Sequence, residues 1–421
     1  MFVGHFTERP YQDPKSGYFG ATGLPIKDLT LSNEIYDAQV GADLYNRYLD
    51  ERVYAEEVGF DGIMLNEHHS TPFCMGGAMN VEASILAKIT NRAKIVLLGN
   101  IIPIWDDPLW LVEQLAMIDM ISRGRLVSGW VRGTGRESVA HNSPPPYNWE
   151  RFQEAHDFIV KAWTTPGPFR WEGKHYNYRY VNPWVSPYQK PHPPIWLPGV
   201  VSRDSLVWAA TNRIPYIMLA TKLGPTQEAF QIYHDTAAEL GYESGPQNIG
   251  YLWKVHVDET EELADEVGRK FVQGPSNPFL AGNEGTANPA LLGLPGLTSR
   301  RRVLPTRDAA TANRGGVLST SYEEQVENYT VVSGTPDTVI PKIRHVLETL
   351  RPGSVFFWDG DGAMTHEDQM RSLRLMGEYV LPAVREIADE LELKSPFEVD
   401  PANGQPFVER TAATEAEAAA D

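Results

Sequence analysis

The strongest constraint on the fold of this 421-residue chain is an alternation of short β-rich runs with longer helical patterns. Such alternation is typical of parallel β/α construction, in which each helix covers the strand that precedes it. Eight strand-like runs occur, at residues 1–6, 62–65, 95–99, 126–131, 194–197, 215–219, 249–257 and 354–358. Eight strands separated by helices close into a barrel more readily than they extend an open sheet. The sequence therefore predicts the α/β class and a TIM-type (β/α)8 barrel with insertions at the C-terminal face of the strands.

The predicted helices lie between and after these strands, at residues 41–58, 78–90, 109–121, 151–163, 202–212, 225–240, 259–271, 336–350 and 366–390. We expect one domain over residues 1–395. Residues 396–421 are predicted to be a flexible tail, because the Ala/Glu/Thr-rich end of the chain lacks apolar residues with which to dock.

Two segments interrupt the alternation. Residues 169–180 are rich in aromatic side chains and predict a hairpin insertion. Residues 273–321 are rich in Gly, Pro, Asn and Ala and carry three consecutive arginines. Long irregular loops in compact domains are usually lids or binding loops, so we expect a lid over the barrel mouth. The alternative is a surface excursion that packs against another subunit.

Charge and cysteine content exclude several classes of protein. The net charge of -18 opposes binding to nucleic acid and to an anionic membrane surface. The single cysteine, Cys74, excludes an intrachain disulfide and a cysteine metal cluster. No apolar stretch approaches the roughly 18 residues that a membrane span needs, and the first residues lack a signal-peptide pattern. We expect a cytoplasmic enzyme.

In β/α barrels the active site lies at the carboxyl ends of the strands. Polar and aromatic residues follow five of the predicted strands directly: Asn66-Glu67-His68-His69, Asn100, Arg132-Gly133-Thr134-Gly135-Arg136, Gly199-Val200-Val201-Ser202 and Trp358-Asp359. Imidazole exchanges protons near neutral pH, so His68 and His69 are candidate acid/base groups. Consecutive residues leaving a strand point in opposite directions, which disfavours a shared metal site. A purely structural role for the histidines is the alternative.

Residues 199–202 stand between a strand and a helix, where backbone amides and the Ser202 hydroxyl can receive a phosphate. Ordinary N-capping by Ser202 is the alternative. Arg132 and Arg136 supply cations at the mouth, unless they belong to a solvated turn. Tryptophans near the strand ends, Trp358 among them, suit a planar ring, although most tryptophans are core residues. The residues alone therefore predict a planar, phosphate-bearing ligand.

The order of these motifs resembles that of the bacterial luciferase-like flavin monooxygenase superfamily. The likeness covers about residues 1–390 and is carried by Leu65-Asn66-Glu67-His68-His69, the strand end at 97–100, residues 113–126, Gly129-Trp130-Val131-Arg132-Gly133 and Pro193-Pro194-Ile195-Trp196. The resemblance implies reduced FMN as cosubstrate, supplied by a separate reductase, with dioxygen as oxidant and a small organic substrate.

The resemblance also implies site residues. His69 or His68 would act as acid/base near the flavin, and Asn100, Arg132, Gly199, Val200, Ser202 and Trp358 would bind the cofactor. A non-proline cis peptide bond is expected at Asn100, and a homodimer through the helices of the early barrel units. The apolar residues 73–75 after the histidines indicate a hydrophobic substrate. The phosphate loop is poorer in small and hydroxyl residues than is usual in the family.

Two other functions remain open from the sequence. Some members of the superfamily use a reduced deazaflavin for hydride transfer without dioxygen. A non-catalytic flavin-binding partner subunit is the other alternative, and intact His68, His69 and Arg132 argue against it.

Overall fold

The computed structural model describes residues 1–15, 18–19, 32–133, 135–272 and 321–418. The predicted lid lies outside these residues except for Ser321, and so does Thr134. No helix within the described ranges is both long enough and apolar enough to cross a bilayer.

Eight parallel strands close into a barrel, which confirms the predicted fold class and all eight predicted strands. In order around the barrel they are β1 (Phe2–Phe6), β4 (Gly62–Leu65), β5 (Lys94–Ile101), β6 (Leu126–Val131), β9 (Ile195–Gly199), β10 (Tyr216–Leu219), β11 (Ile249–Val257) and β13 (Ser354–Trp358). Pairing of β13 with β1, and of β10 with β11, completes the ring. Because all strands run the same way, their carboxyl ends meet at one face.

The remaining strands are additions to this barrel. Strands β2 (Gln12–Asp13) and β3 (Tyr18–Phe19) form a short antiparallel pair after β1. The predicted aromatic hairpin is present as β7 (Phe169–Glu172) and β8 (Asn177–Val181). Strand β12 (Val331–Gly334) pairs with the end of β11 and was not predicted.

The predicted helices are present around the barrel, close to their predicted positions. In chain order the helices are α1 (Ala38–Glu57), α2 (Met79–Ile89), α3 (Pro108–Ser122), α4 (Gly135–Ala140), α5 (Asn148–Thr164), α6 (Arg203–Thr211), α7 (Leu223–Glu239), α8 (Glu261–Val272), α9 (Tyr322–Glu327), α10 (Pro336–Leu350), α11 (His366–Leu375), α12 (Leu381–Glu390) and α13 (Ala412–Ala418). Three short helices, α4, α9 and α13, were not predicted.

The prediction of a single helix over residues 366–390 is wrong in the middle of that range. A π-helical turn at Met376–Val380 separates α11 from α12. Pro382 has no N–H for the usual bond four residues back, and the N–H of Leu381 bonds the carbonyl of Met376 instead.

Aromatic side chains fill the amino-terminal end of the barrel. The ring of Phe2 meets Trp196 edge-on at 5.8 Å. Phe397 closes this layer from below, 5.2 Å from Phe2 and 5.8 Å from Trp196. Residues predicted as a tail thus pack against the barrel base, where Glu398 also pairs with the amino terminus at 2.9 Å. The division into one domain and a tail stays a prediction. With the base filled, the carboxyl-terminal face is the place for a ligand.

Candidate active site

A cavity of about 300 Å³, here called the mouth cavity, opens at the carboxyl ends of the strands. Apolar side chains from β1, β5, β10, β11 and β13 form much of its wall: Phe6, Leu98, Leu219, Leu252 and Trp358. Six of the eight predicted site residues also line it: His68, Arg132, Gly199, Val200, Ser202 and Trp358. His69 and Asn100 do not.

Trp358 gives the mouth cavity a fixed aromatic wall. Its ring meets Phe6 edge-on at 5.4 Å, and its indole N–H donates to Asp361 Oδ2. The Lys254 ammonium lies 4.8 Å from the ring centroid. Held by one hydrogen bond and two ring contacts, the indole presents a rigid surface against which a planar ligand can pack.

The loop between β9 and α6 forms the polar end of the cavity. A Cβ atom at Gly199 would lie 2.3 Å from the Tyr216 hydroxyl, so only glycine fits there. That hydroxyl donates to the Val200 carbonyl at 2.6 Å and fixes the loop. Ser202 occupies the N-cap position of α6, yet its side chain makes no capping hydrogen bond. Its oxygen accepts from Ser205 Oγ at 3.2 Å, which leaves the hydroxyl proton and the first amides of α6 available to an anion.

Arg132 brings a cation to the same cavity. Its guanidinium lies 5.8 Å from the Trp149 ring centroid. Burial lowers the pKa of Arg132 and the charge of Asp204 opposes this, but the group stays cationic near neutral pH. The side chain of Arg136, the other arginine of this motif, lies outside the described residues.

The two adjacent histidines face different cavities. His68 lines the mouth cavity, with Nδ1 2.9 Å from Glu137 Oε1 and Nε2 3.9 Å from Glu8 Oε2. Burial lowers the pKa of His68, but the hydrogen bond to Glu137 and the charge of that carboxylate act in the other direction, and the pKa is raised. Of the two predicted acid/base groups, only His68 reaches the mouth cavity.

His69 lines a second cavity of about 460 Å³ near α2 and α3, here called the outer cavity. Its Nε2 lies 2.6 Å from Glu67 Oε1, and its ring lies 4.0 Å from that of His141. Glu67 lines both cavities and so connects them.

Asn100 is fully buried behind the mouth cavity. Its Nδ2 donates to Glu67 Oε2 at 3.2 Å and to Asn80 Oδ1 at 3.0 Å. Asn100 thus positions Glu67 from behind and makes no part of the cavity wall. The non-proline cis peptide bond expected at Asn100 is found one bond earlier, between Leu98 and Gly99.

Four charged residues of the site were not predicted. Glu8 follows β1, Lys254 lies within β11, Asp361 follows β13, and Glu137 lies in α4. The first three stand at or near carboxyl ends of strands, which is the position that marks a barrel site. That rule, applied to every strand, would have found them. Within the described part of the chain, no group of three or more His, Cys, Asp or Glu side chains is arranged to hold a metal ion.

The site and fold together define a (β/α)8 barrel whose mouth combines a histidine, an anion-binding helix start and an aromatic wall. Residues 31–351 match the model of the luciferase-like monooxygenase family, and the chain belongs to this family. It is an oxidoreductase of the luciferase-like, flavin-dependent class.

Two relatives and one solved structure show how far the likeness extends. The chain is 26% identical over 363 residues to the oxygenase component of the flavin-dependent trigonelline monooxygenase of Acinetobacter baylyi, covering 84% of this chain and 93% of that protein. It is 25% identical over 236 residues to the alkanal monooxygenase alpha chain of Photobacterium leiognathi. That match covers 55% of this chain and 65% of the relative, slightly less than two thirds of the relative's length.

The solved structure is the oxygenating constituent of 3,6-diketocamphane monooxygenase from Pseudomonas putida, in complex with FMN. The TM-score is 0.66 at 19% identity, over 87% of this chain and 99% of that one. At this identity the likeness establishes a common fold.

Proposed function

We propose that this protein is the oxygenase component of a two-component monooxygenase. It takes up reduced FMN from a separate reductase and uses dioxygen to oxygenate a small, hydrophobic organic substrate. The observation that carries the proposal is the mouth cavity, where His68, an unused helix-start anion site and a rigid aromatic wall lie together. The oxygenase role printed for the trigonelline relative and the FMN bound in the diketocamphane enzyme support it.

The mouth cavity fits FMN at both ends of the molecule. Gly199 allows the close approach of the Tyr216 hydroxyl that fixes the loop, and the Ser202 hydroxyl, which accepts from Ser205 Oγ, caps no amide and can donate to a phosphate. With Arg132 nearby, these groups would hold the phosphate. The apolar wall with Trp358 would receive the ring system. When bound, reduced FMN supplies the two electrons that activate dioxygen.

The protein's own contribution is to exclude water and to place a proton. Most side chains of the cavity wall are apolar, which disfavours water beside the reacting atoms. Glu137 bonds Nδ1 of His68 and so directs Nε2 toward the cavity side occupied by Glu8. We assign to His68 the transfer of a proton at Nε2, and to Glu137 its orientation.

We further propose that the protein is a homodimer. Apolar side chains of the early helices α2 and α3 are exposed in the single chain, among them Val81, Ile85, Trp110 and Met117. Contiguous exposed apolar surface often marks a protein interface. Dioxygen, the reductase and the organic substrate complete the proposed partners, with neither nucleic acid nor membrane among them.

The Ser202→Ala variant tests the phosphate site. We expect its affinity for FMN to fall by about 1.5–3 kcal/mol, as for a lost hydrogen bond to a charged group. The free energy of unfolding should change little, because the hydroxyl caps no amide and only accepts from the partly exposed Ser205 Oγ at 3.2 Å. Flavin fluorescence titration and urea denaturation measure the two quantities.

Ser321→Ala is the matched control, because Ser321 does cap its helix by accepting from the Glu324 amide. It should lower stability by about 0.5–2 kcal/mol and leave FMN affinity unchanged. Unaltered FMN affinity in Ser202→Ala would place the phosphate elsewhere.

A further inference from the structure

Glu8 is a carboxyl group that reaches the mouth cavity although it is buried. It follows β1 and is 6% exposed, yet it forms part of the cavity wall. Its Oε2 accepts a hydrogen bond from Asn66 Nδ2 at 2.5 Å and lies 3.9 Å from His68 Nε2. A carboxyl group in this position contacts whatever occupies the cavity beside His68.

The cations nearest Glu8 are Arg9, His68 and Lys254, and two of them form ion pairs with other carboxylates. Arg9 is paired with Glu82 at 3.0 Å, and His68 is paired with Glu137. Burial raises the pKa of the neighbouring Cys74 thiol to about 12, so that group is neutral. Among the described residues Lys254 is the one of these three cations without an ion pair of its own, and its ammonium is shared by two buried carboxyl groups, Glu8 and Asp361. Two carboxylates beside a single cation retain a proton near neutral pH.

Hydrogen bonds decide which carboxyl group keeps that proton. Asp361 accepts from Thr7 Oγ1 at 2.7 Å, from the Glu8 amide at 2.9 Å and from the Trp358 indole. Among the described residues, Glu8 accepts from Asn66 alone. Donors stabilise the ionised form of a carboxyl group, so Asp361 is the carboxylate and Glu8 the acid. Burial raises the pKa of both carboxyl groups, that of Asp361 to about 7, so the difference in donors decides which of the two ionises first.

We propose that Glu8 is a neutral carboxylic acid and the proton donor of the mouth cavity, acting with His68 on one oxygen atom bound between their side chains. This rests on the proposed monooxygenase function, in which the second oxygen atom of dioxygen leaves as water and must be protonated.

The geometry suits a shared acceptor atom. The 3.9 Å between Glu8 Oε2 and His68 Nε2 is too long for a direct hydrogen bond, and one oxygen atom beside the gap can lie within bonding distance of both groups. The O–H bond of Glu8 breaks as an O–H bond forms on the acceptor. The resulting carboxylate is stabilised by Asn66 and Lys254, and it regains its proton from water.

The protonation state of Glu8 can be measured without flavin, substrate or turnover. We expect the infrared difference spectrum of wild type minus Glu8→Gln, near neutral pH, to show the carbonyl stretch of a protonated carboxyl group. The surface control Glu348→Gln, at an exposed position of α10, should show no such difference. A difference spectrum for Glu8→Gln that contains only carboxylate bands overturns the proposal.

The activity of Glu8→Gln tests the catalytic part. Product formation should fall by about 10²–10⁴-fold, as expected for loss of a general acid, with FMN affinity unchanged. In the wild type the rate should fall as pH rises through the pKa of Glu8. This alkaline limb of the pH–rate profile should be absent in the variant. An unchanged rate and pH profile in a folded variant overturn the assignment.

Two further variants must shift that limb in opposite directions. Lys254→Met removes the cation that stabilises the Glu8 carboxylate, so the limb should move to higher pH. Asp361→Asn removes the competing negative charge, so the limb should move to lower pH. If both variants shift the limb in the same direction, the proposal is contradicted. Loss of packing alone does not predict shifts of opposite direction in the two variants. If the infrared band is present but no oxygenation occurs, the proposed function fails while the acid form of Glu8 stands.

Discussion

Replacing His68 by alanine is expected to lower product formation by about 10²–10⁴-fold, whereas His69→Ala should retain most of it. The reason is position: His68 lines the mouth cavity, and His69 lines the outer cavity behind Glu67. Neither variant should lose FMN affinity, because neither side chain belongs to the phosphate loop. Turnover with a reductase supplying reduced FMN, together with flavin titration, measures both quantities.

His345→Ala is a suitable control, since this histidine is exposed on α10, away from both cavities. Its activity should match that of the wild type. If His69→Ala loses more activity than His68→Ala, the acid/base role belongs to the outer cavity and the assignment of His68 is wrong.

The His256→Gln variant should be the least stable of the histidine variants. His256 is fully buried, with Nδ1 3.2 Å from Asp359 Oδ1 and Nε2 3.4 Å from Asp258 Oδ2. Removing the imidazolium leaves the buried Asp359 carboxylate without its cation, whereas Asp258 keeps Arg371. Loss of one partner of a buried ion pair typically costs about 3–5 kcal/mol. Urea denaturation of the variant and the wild type gives the difference.

The loss of stability in His256→Gln should depend on pH. Burial lowers the pKa of His256, but Asp359 and Asp258 outweigh it and raise the pKa from 6.5 to about 9. A group whose pKa is raised on folding stabilises the folded protein. This contribution is fully present below the pKa of the group in the unfolded chain and disappears as pH rises through its pKa in the folded protein. The difference in free energy of unfolding between the wild type and His256→Gln should therefore be largest below pH 6.5 and should become smaller as pH approaches 9. A difference that does not change with pH would show that His256 is neutral in the fold.

The same network stabilises the active-site loop. Asp359 directly follows Trp358 and also accepts from Ser372 Oγ at 2.6 Å. Loss of His256 should thus loosen the aromatic wall as well as the fold.

The barrel could be predicted from the sequence because buried parallel strands are continuous apolar runs, such as residues 95–99. Strand β12, Val-Val-Ser-Gly, was missed because it pairs with the end of β11 outside the barrel and so lies outside the strand–helix alternation. The π-helical turn was missed because the helical pattern of the sequence does not show the local change to five-residue hydrogen bonding before Pro382.

The site could be predicted only in part. That His68 and His69 face opposite ways follows from strand geometry, but which one enters the mouth cavity depends on the three-dimensional path of the strand end. The charge balance at Glu8 could not be predicted, because Glu8, Lys254 and Asp361 are far apart in the sequence and meet only in the closed barrel.

The most direct test of the central claim is an anaerobic stopped-flow experiment in which the protein is mixed with photoreduced FMN and then with aerated buffer. The proposed function predicts a near-ultraviolet absorbance band that persists before oxidised FMN appears, because the cavity protects the reacting flavin from water. Reoxidation of FMN at the rate seen in free solution would contradict the claim and favour deazaflavin-dependent hydride transfer.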